Sequence, residues 1–206
     1  MRRLIAAGVA AVTVLGGGLA LATTAGADGG GDMRAEFVNA GGESIGTAKL
    51  SPNRHGTQIK VEVHLPAAMA GFHGFHIHSV GQCVAPGFTS AGGHLGEDAA
   101  DPNHRHRNHD GDLPVLLVNS DGFGWARVVT DRVQLAELRD ADGAAFIIHA
   151  APDNYANIPA TDPVTGNPRY SNPNAVAVYP NTTTDATTLK TGDAGARVAC
   201  GVISRS

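Results

Sequence analysis

Apolar and polar residues alternate with a period of two along most of this chain, and helical periodicity is nearly absent. The clearest run is Ile59 to Leu65, with Ile59, Val61, Val63 and Leu65 on one face and Lys60, Glu62 and His64 on the other. Shorter runs of the same kind span Met33 to Val38, Ser44 to Leu50, Phe72 to His78, Val115 to Asn119, Phe123 to Thr130, Ala144 to His149 and Ala196 to Ile203. Between them stand Gly41-Gly42, Ser51-Pro52-Asn53, Ser120-Asp121-Gly122 and Asp142-Gly143, residue types that accept turn backbones. Eight short strands with such turns predict an all-β sandwich or barrel. Arg132 to Arg139 is expected to add one helical turn and no more.

Two connections break the spacing, Ser79 to Pro114 and Ala150 to Gly195. Loops of this length without their own periodicity commonly carry function or are disordered. The first contains Cys83 and His94, His104, His106 and His109; the second is rich in Pro, Asn and Thr and includes the stretch 157–180, to which no role is assigned. No internal repeat or domain linker is evident, and Asn181-Thr182-Thr183 matches a glycosylation acceptor that is common by chance.

Composition sharpens this picture in two ways. A formal net charge of -4 disfavours a nucleic acid or acidic lipid held by bulk charge. The chain also has ten histidines, and the segment His73 to His109 contains His73, His76, His78, His94, His104, His106 and His109. That clustering points to metal. His55 and His64 have no assigned role.

Residues 1–27 have the layout of a secretory signal peptide: Arg2-Arg3, an uncharged stretch from Leu4 to about Ala22, and Ala25-Gly26-Ala27 before the cleavage point. A membrane anchor is the competing reading, opposed by Gly16-Gly17-Gly18 and the weakly apolar Ala/Gly content. The mature domain is then 28–206, exported to the periplasm, the cell wall or the medium. Losing Arg2 and Arg3 makes it two units more negative than the full chain. In an oxidising compartment the two cysteines, Cys83 and Cys200, are expected to form one long-range disulfide rather than a pair of buried thiols.

The densest chemistry is His76-Ile77-His78 within a strand-like run. Residues i and i+2 share a face with Cα atoms about 6.5 Å apart, so two imidazoles converge on one ion while Phe75 and Ile77 face the core. Such a pair alone is weak evidence, and its context carries more. Gly71-Phe72-His73-Gly74-Phe75-His76-Ile77-His78 is followed by Ser90-Ala91-Gly92-Gly93-His94, His109-Asp110-Gly111-Asp112-Leu113, Ile147-Ile148-His149, and the run Gly192 to Ile203 containing Arg197 and Cys200. In this order the segments resemble the copper–zinc superoxide dismutases, notably the exported bacterial type, over essentially the whole mature chain.

The resemblance implies an eight-stranded Greek-key β-sandwich or barrel, immunoglobulin-like, with two long functional loops. It implies copper ligation by His76, His78, His94 and His149, with His94 bridging to zinc. His109 and Asp112 match the closing zinc ligands. The remaining zinc ligand falls to His104, with His106 as the alternative, because the loop is shortened and neither stands at the expected spacing. Asp153 matches a carboxylate linking a copper-ligand and a zinc-ligand histidine, and His73 matches a structural histidine behind the copper. Arg197, with His94, is assigned to catalysis: the substrate is an anion, the chain is acidic, and capture needs a local positive focus. Lys190 stands at a longer-range guiding position. Imidazole suits copper, whose two oxidation states would carry superoxide to dioxygen and hydrogen peroxide.

A non-catalytic copper-binding or delivery module on the same fold is the alternative, opposed by the full ligand set, Arg197 and the absence of a C-x-C site. A zinc hydrolase lacks a three-ligand site with an open position outside the loop cluster. Superoxide is the expected small-molecule partner, a homodimer a candidate assembly, and no membrane span is expected after leader removal.

Overall fold

The computed structural model describes residues 31–98, 106, 108–155 and 190–206. The leader expected at 1–27, His104 and the stretch 157–180 lie outside them. Among the described residues, nine strands form one antiparallel sheet: β1 (Met33–Asn39), β2 (Ser44–Asn53), β3 (Gly56–His64), β4 (Gly71–His73), β5 (Phe75–His78), β6 (Leu116–Val118), β7 (Phe123–Thr130), β8 (Ala144–His149) and β9 (Arg197–Arg205). Their order is β4-β6-β7-β3-β2-β1-β9-β8-β5. The two edge strands, β4 and β5, are separated in the chain by Gly74 alone, so the sheet must curl until its edges meet. The result is a nearly closed barrel. The β3–β4 and β7–β8 connections join strands that are not neighbours, the Greek-key signature.

The run Phe72 to His78 therefore yields two strands where the side-chain pattern predicts one. β4 pairs with β6 and β5 with β8, and the chain changes partners at Gly74. Gly74 N–H donates to the Ala151 carbonyl, and its own carbonyl accepts from His149 N–H, both at 2.9 Å. A Cβ there would sit 2.6 Å from Ala194 Cβ, so only glycine lets the second long loop lie against the crossing point. β2 also extends through Ser51-Pro52-Asn53, which reads as a turn. Pro52 opposes Thr57 and Asn53 opposes Gly56, leaving Arg54-His55 as the turn. The expected single helical turn is the 3₁₀ segment Glu137–Arg139.

Alternation does the packing. Phe37, Leu50, Ile59, Val61, Val63, Phe75, Ile77, Phe146 and Ile148 fill the barrel. Phe75 and Phe146 stack with ring centroids 5.2 Å apart. A second, smaller cluster of Phe88, Ala91, Ala145, Ile147 and Cys200 seats the first long loop on β8 and β9. The Cys83–Cys200 disulfide, with Cα atoms 5.6 Å apart, fastens it covalently. A loop of this size closes at an entropic gain on the order of 4–5 kcal/mol.

The same loop is stitched to the free edge of β5. Ile77 N–H donates to the Gly111 carbonyl, Leu95 N–H to the Ile77 carbonyl and Gly111 N–H to the Leu95 carbonyl, each at 2.9 Å. A Cβ on Gly111 would overlap the Ile77 carbonyl. Gly111→Ala is accordingly expected to destabilise the metal-free protein by about 1–3 kcal/mol, since backbone must move to admit the methyl group. An unchanged urea midpoint would contradict this close approach.

Candidate metal centre

β5 is buried at every position. Phe75 and Ile77 point into the barrel, so His76 and His78 point outward, where the two long loops cover them. The stitched loop brings Asp112 opposite His76 and His94 opposite His78 as isolated antiparallel bridges. His149 arrives at the end of β8, where a register irregularity after Ile148 sets it opposite Arg197. His76, His78, His94 and His149 each offer a ligand atom, all within 4.8 Å of one another, and none is more than 3% exposed.

Hydrogen bonds fix which nitrogen faces inward. His78 Nδ1–H donates to the Gly92 carbonyl (2.9 Å), and His149 Nδ1–H to the Gly195 carbonyl (3.1 Å). His76 Nε2–H donates to Asp153 Oδ2 at 2.6 Å. The nitrogens left over, His76 Nδ1, His78 Nε2, His149 Nε2 and His94 Nε2, are buried without a hydrogen-bond partner. Four convergent orphaned lone pairs are costly unless an ion takes them. Burial, reinforced by the neighbouring His94 and Arg197 charges, pushes His78 well below its ordinary pKa. His149 is lowered in the same way by burial, His76, His94 and Arg197. Burial takes His94 down to about 3 against the opposing pull of Asp112. These rings stay neutral at pH 7, as metal ligation requires.

A second donor set lies on the other side of His94. His94 Nδ1 is 2.8 Å from Asp112 Oδ1, and His109 Nδ1 is 3.3 Å from His94 Nδ1. His106 Nδ1 and His109 Nδ1 approach the same Asp112 oxygen at 3.1 and 3.4 Å. A tetrahedral ion with bonds near 2.0–2.1 Å has donor–donor edges of about 3.3 Å, which these separations bracket. His76 also comes within 4.8 Å of His94, His106 and Asp112. Its Nε2 is committed to Asp153 and its Nδ1 faces the four-histidine set, so His109 completes the second set.

Asp153 ties the two sets together. It accepts from His76 and, through Oδ1 and Oδ2 at 2.7 and 2.8 Å, from His106 Nε2–H, which leaves His106 Nδ1 for an ion. Burial disfavours both charged forms, but the contacts outweigh it. Asp112 and Asp153 hold His106 up at about 9, and the two histidines hold Asp153 down at about 2. Asp112 is lowered against its burial by hydrogen bonds from His106, His109 and His94. His106, the alternative to His104 in the sequence, lies in the cluster among the described residues, which do not include His104. His73 lies between the Met69 and His149 carbonyls and joins neither set.

The four-histidine set opens on a cavity of about 350 Å³ lined by His78, His94, His149, Thr89, Glu97, Lys190 and Arg197. Arg197, half-buried, donates to the Phe88 carbonyl (2.7 Å) and the Gly92 carbonyl (2.6 Å), both in the loop that Cys83 pins. Lys190 pairs with Glu97 at 3.1 Å. Sequence reasoning passed over Glu97, although a turn closed by its N–H to the His94 carbonyl carries it back beside a candidate ligand. A larger groove of about 770 Å³ lies against β1, β2 and β9, but no histidine lines it.

An antiparallel barrel carrying a four-imidazole site that shares one ring with a three-histidine, one-aspartate site defines a two-metal β-barrel protein. Residues 44–203 match the family described as copper/zinc superoxide dismutase (SODC), and the chain belongs to that family. It is 38% identical over 173 residues to "Superoxide dismutase [Cu-Zn]" of Mycolicibacterium paratuberculosis, covering 79% of this chain and 69% of that protein. It is 33% identical over 177 residues to the protein of the same name from Photobacterium leiognathi, covering 79% and 80%. Among solved structures, Cu/Zn superoxide dismutase from Brucella abortus superposes with a TM-score of 0.58 at 25% identity, covering 84% of this chain and 99% of that one.

The placement of His106 can be tested by metal content. After loading with both metals and dialysis, His106→Ala is expected to keep copper and lose zinc. Elemental analysis showing a full zinc equivalent in His106→Ala would contradict the second donor set.

Proposed function

We propose that this chain is an exported superoxide dismutase, with copper held by His76, His78, His94 and His149 and zinc by His94, His106, His109 and Asp112. The observation that carries the reading is the set of four buried, unpartnered ring nitrogens, converging beside an anchored arginine at the end of an open cavity. When bound, copper supplies one-electron chemistry between Cu(II) and Cu(I), by which one superoxide is oxidised to dioxygen and a second, with two protons, is reduced to hydrogen peroxide.

The chain's own residues set up everything else. Arg197 presents its guanidinium to the cavity that leads to His78 and His149, giving an acidic protein a local attraction for a small anion. Its two carbonyl contacts prevent the guanidinium from swinging away, and the disulfide keeps those carbonyls in place. His94 is the one ring shared by both proposed donor sets, and its Nε2, which would ligate copper, could hold a proton only while that bond is open and would pass it to peroxide before ligating again. Asp153 orients His76 and His106 from behind. The disulfide suits an oxidising compartment, in accord with the leader expected at 1–27, and sequencing of the exported protein should begin at Asp28.

Turnover of superoxide by the metal-loaded protein is the direct test. Arg197→Glu is expected to retain copper yet lose at least about tenfold in kcat/KM, with its salt dependence weakened or reversed. His78→Ala is expected to lose copper and activity together. Full copper occupancy in the unmodified protein without turnover would instead favour a copper-binding module.

A further inference from the structure

The segment 150–155 and the segment 190–196 flank the long connection 156–189, and they are zipped together. Ala150 N–H donates to the Ala196 carbonyl, Ala151 N–H to the Ala194 carbonyl and Asn154 N–H to the Gly192 carbonyl, at 2.8, 2.8 and 2.9 Å. A side-chain bond crosses the same seam. Asn154 Nδ2–H donates to Asp193 Oδ2 at 3.1 Å, and the two residues are only 8% and 2% exposed. Neither residue belongs to the proposed ligand sets or lines the substrate cavity.

Their chain neighbours do touch the centre. Asn154 follows Asp153, the carboxylate between His76 and His106. Asp193 follows Gly192, whose Cα faces that carboxylate so closely that a Cβ would overlap both Asp153 Oδ1 and the His106 ring. Asp153 is therefore gripped from two sides: by its own segment, where Tyr155 N–H also donates to Oδ1 at 2.6 Å, and by the Gly192 backbone pressed against it. The Asn154–Asp193 bond sets the distance between those two sides.

We infer that Asn154 and Asp193 are positioning residues: a buried amide–carboxylate clasp that holds Asp153 in reach of His76 and His106 and so sets the zinc affinity of the centre. This rests on the zinc site proposed above. The chemistry of the pair makes it testable by polarity. In Asn154→Asp two carboxylates face each other in a buried seam, beside a third at Asp153, and the seam must open. Adding Asp193→Asn restores one donor and one acceptor in reversed order. Asp193 has a φ of 54°, a left-handed backbone that asparagine also accepts, so this substitution brings no backbone strain. Asp193→Asn alone still presents an acceptor oxygen to the Asn154 amide.

Zinc affinity of the full mature protein, measured by competition with a chromophoric chelator, reads this directly. Asn154→Asp is expected to weaken zinc by roughly 10- to 100-fold, the usual scale for losing an outer hydrogen-bond partner of a metal ligand. Asn154→Asp/Asp193→Asn and Asp193→Asn alone are expected to stay within about threefold of the parent, well inside that scale. Should Asn154→Asp fail to fold, Asn154→Ala removes the bond without adding charge and is expected to weaken zinc by about tenfold. The absorption of the copper-loaded protein gives a second readout, expected to shift in Asn154→Asp as His76 loses its orienting carboxylate and to return in the double variant. Folded Asn154→Asp or Asn154→Ala with parental zinc affinity, or a folded double variant without rescue, would overturn the clasp. A parental protein that binds no zinc would instead overturn the zinc site itself, and the clasp with it.

Discussion

Three backbone hydrogen bonds around Ile77, linking it to Leu95 and Gly111 and those two to each other, decide where His76, His78, His94 and Asp112 lie. Ile77 itself points into the barrel, so its neighbours His76 and His78 must point out. The loop that joins the free edge of β5 then has no freedom of register: Asp112 falls opposite His76 and His94 opposite His78. Each bond contributes only about 1 kcal/mol net. Their effect is large because the Phe88 cluster and the Cys83–Cys200 disulfide have already brought the loop to the barrel wall. The Phe88 and Gly92 carbonyls that anchor Arg197 belong to the same loop, so the placement of His94 and of the Arg197 guanidinium share one support.

The centre concentrates unfavourable terms that only ions relieve. Four ring nitrogens are buried without partners, each at a cost on the order of 1–3 kcal/mol. On the far side of His94, Asp112 is approached by three histidines and kept ionised against its burial. Stability and metal content are coupled as a consequence, because a site that exists only in the folded chain turns binding free energy into folding free energy. Asp153 links the two halves, so a disturbance of one ring is felt by the other.

The fold was largely legible because alternation of apolar side chains is itself what packs a barrel. β7 and β8 have the bounds that the pattern assigns, and the other elements differ at their ends. The misses have physical causes. Gly74 leaves the alternation of Phe72 to His78 undisturbed, so nothing in side-chain polarity shows that the backbone changes partners there. Pro52 lacks an N–H and reads as a turn, yet hairpin register carried it into β2 opposite Thr57. In the site, His76, His78, His94 and His149, named together by the resemblance rather than by any one motif, converge within 4.8 Å. Between His104 and His106 the sequence preferred His104 without a spacing to decide it, since they alternate with Arg105 and Arg107 in one aperiodic loop, and His104 lies outside the described residues. What ties His106 to the centre is a pair of aspartates, Asp112 and Asp153, that lie near it only in space. The Asn154–Asp193 bond likewise joins residues 39 positions apart, across a connection without periodicity.

Anomalous diffraction from crystals loaded with both metals, collected on either side of the copper and zinc absorption edges, tests the shared-histidine centre most directly. Two peaks are expected on opposite sides of the His94 ring, each about 2.0–2.3 Å from a ring nitrogen: copper beside Nε2, and zinc beside Nδ1 and within reach of His106 Nδ1. A single peak, or a zinc peak ligated by residues other than His94 and His106, would contradict it.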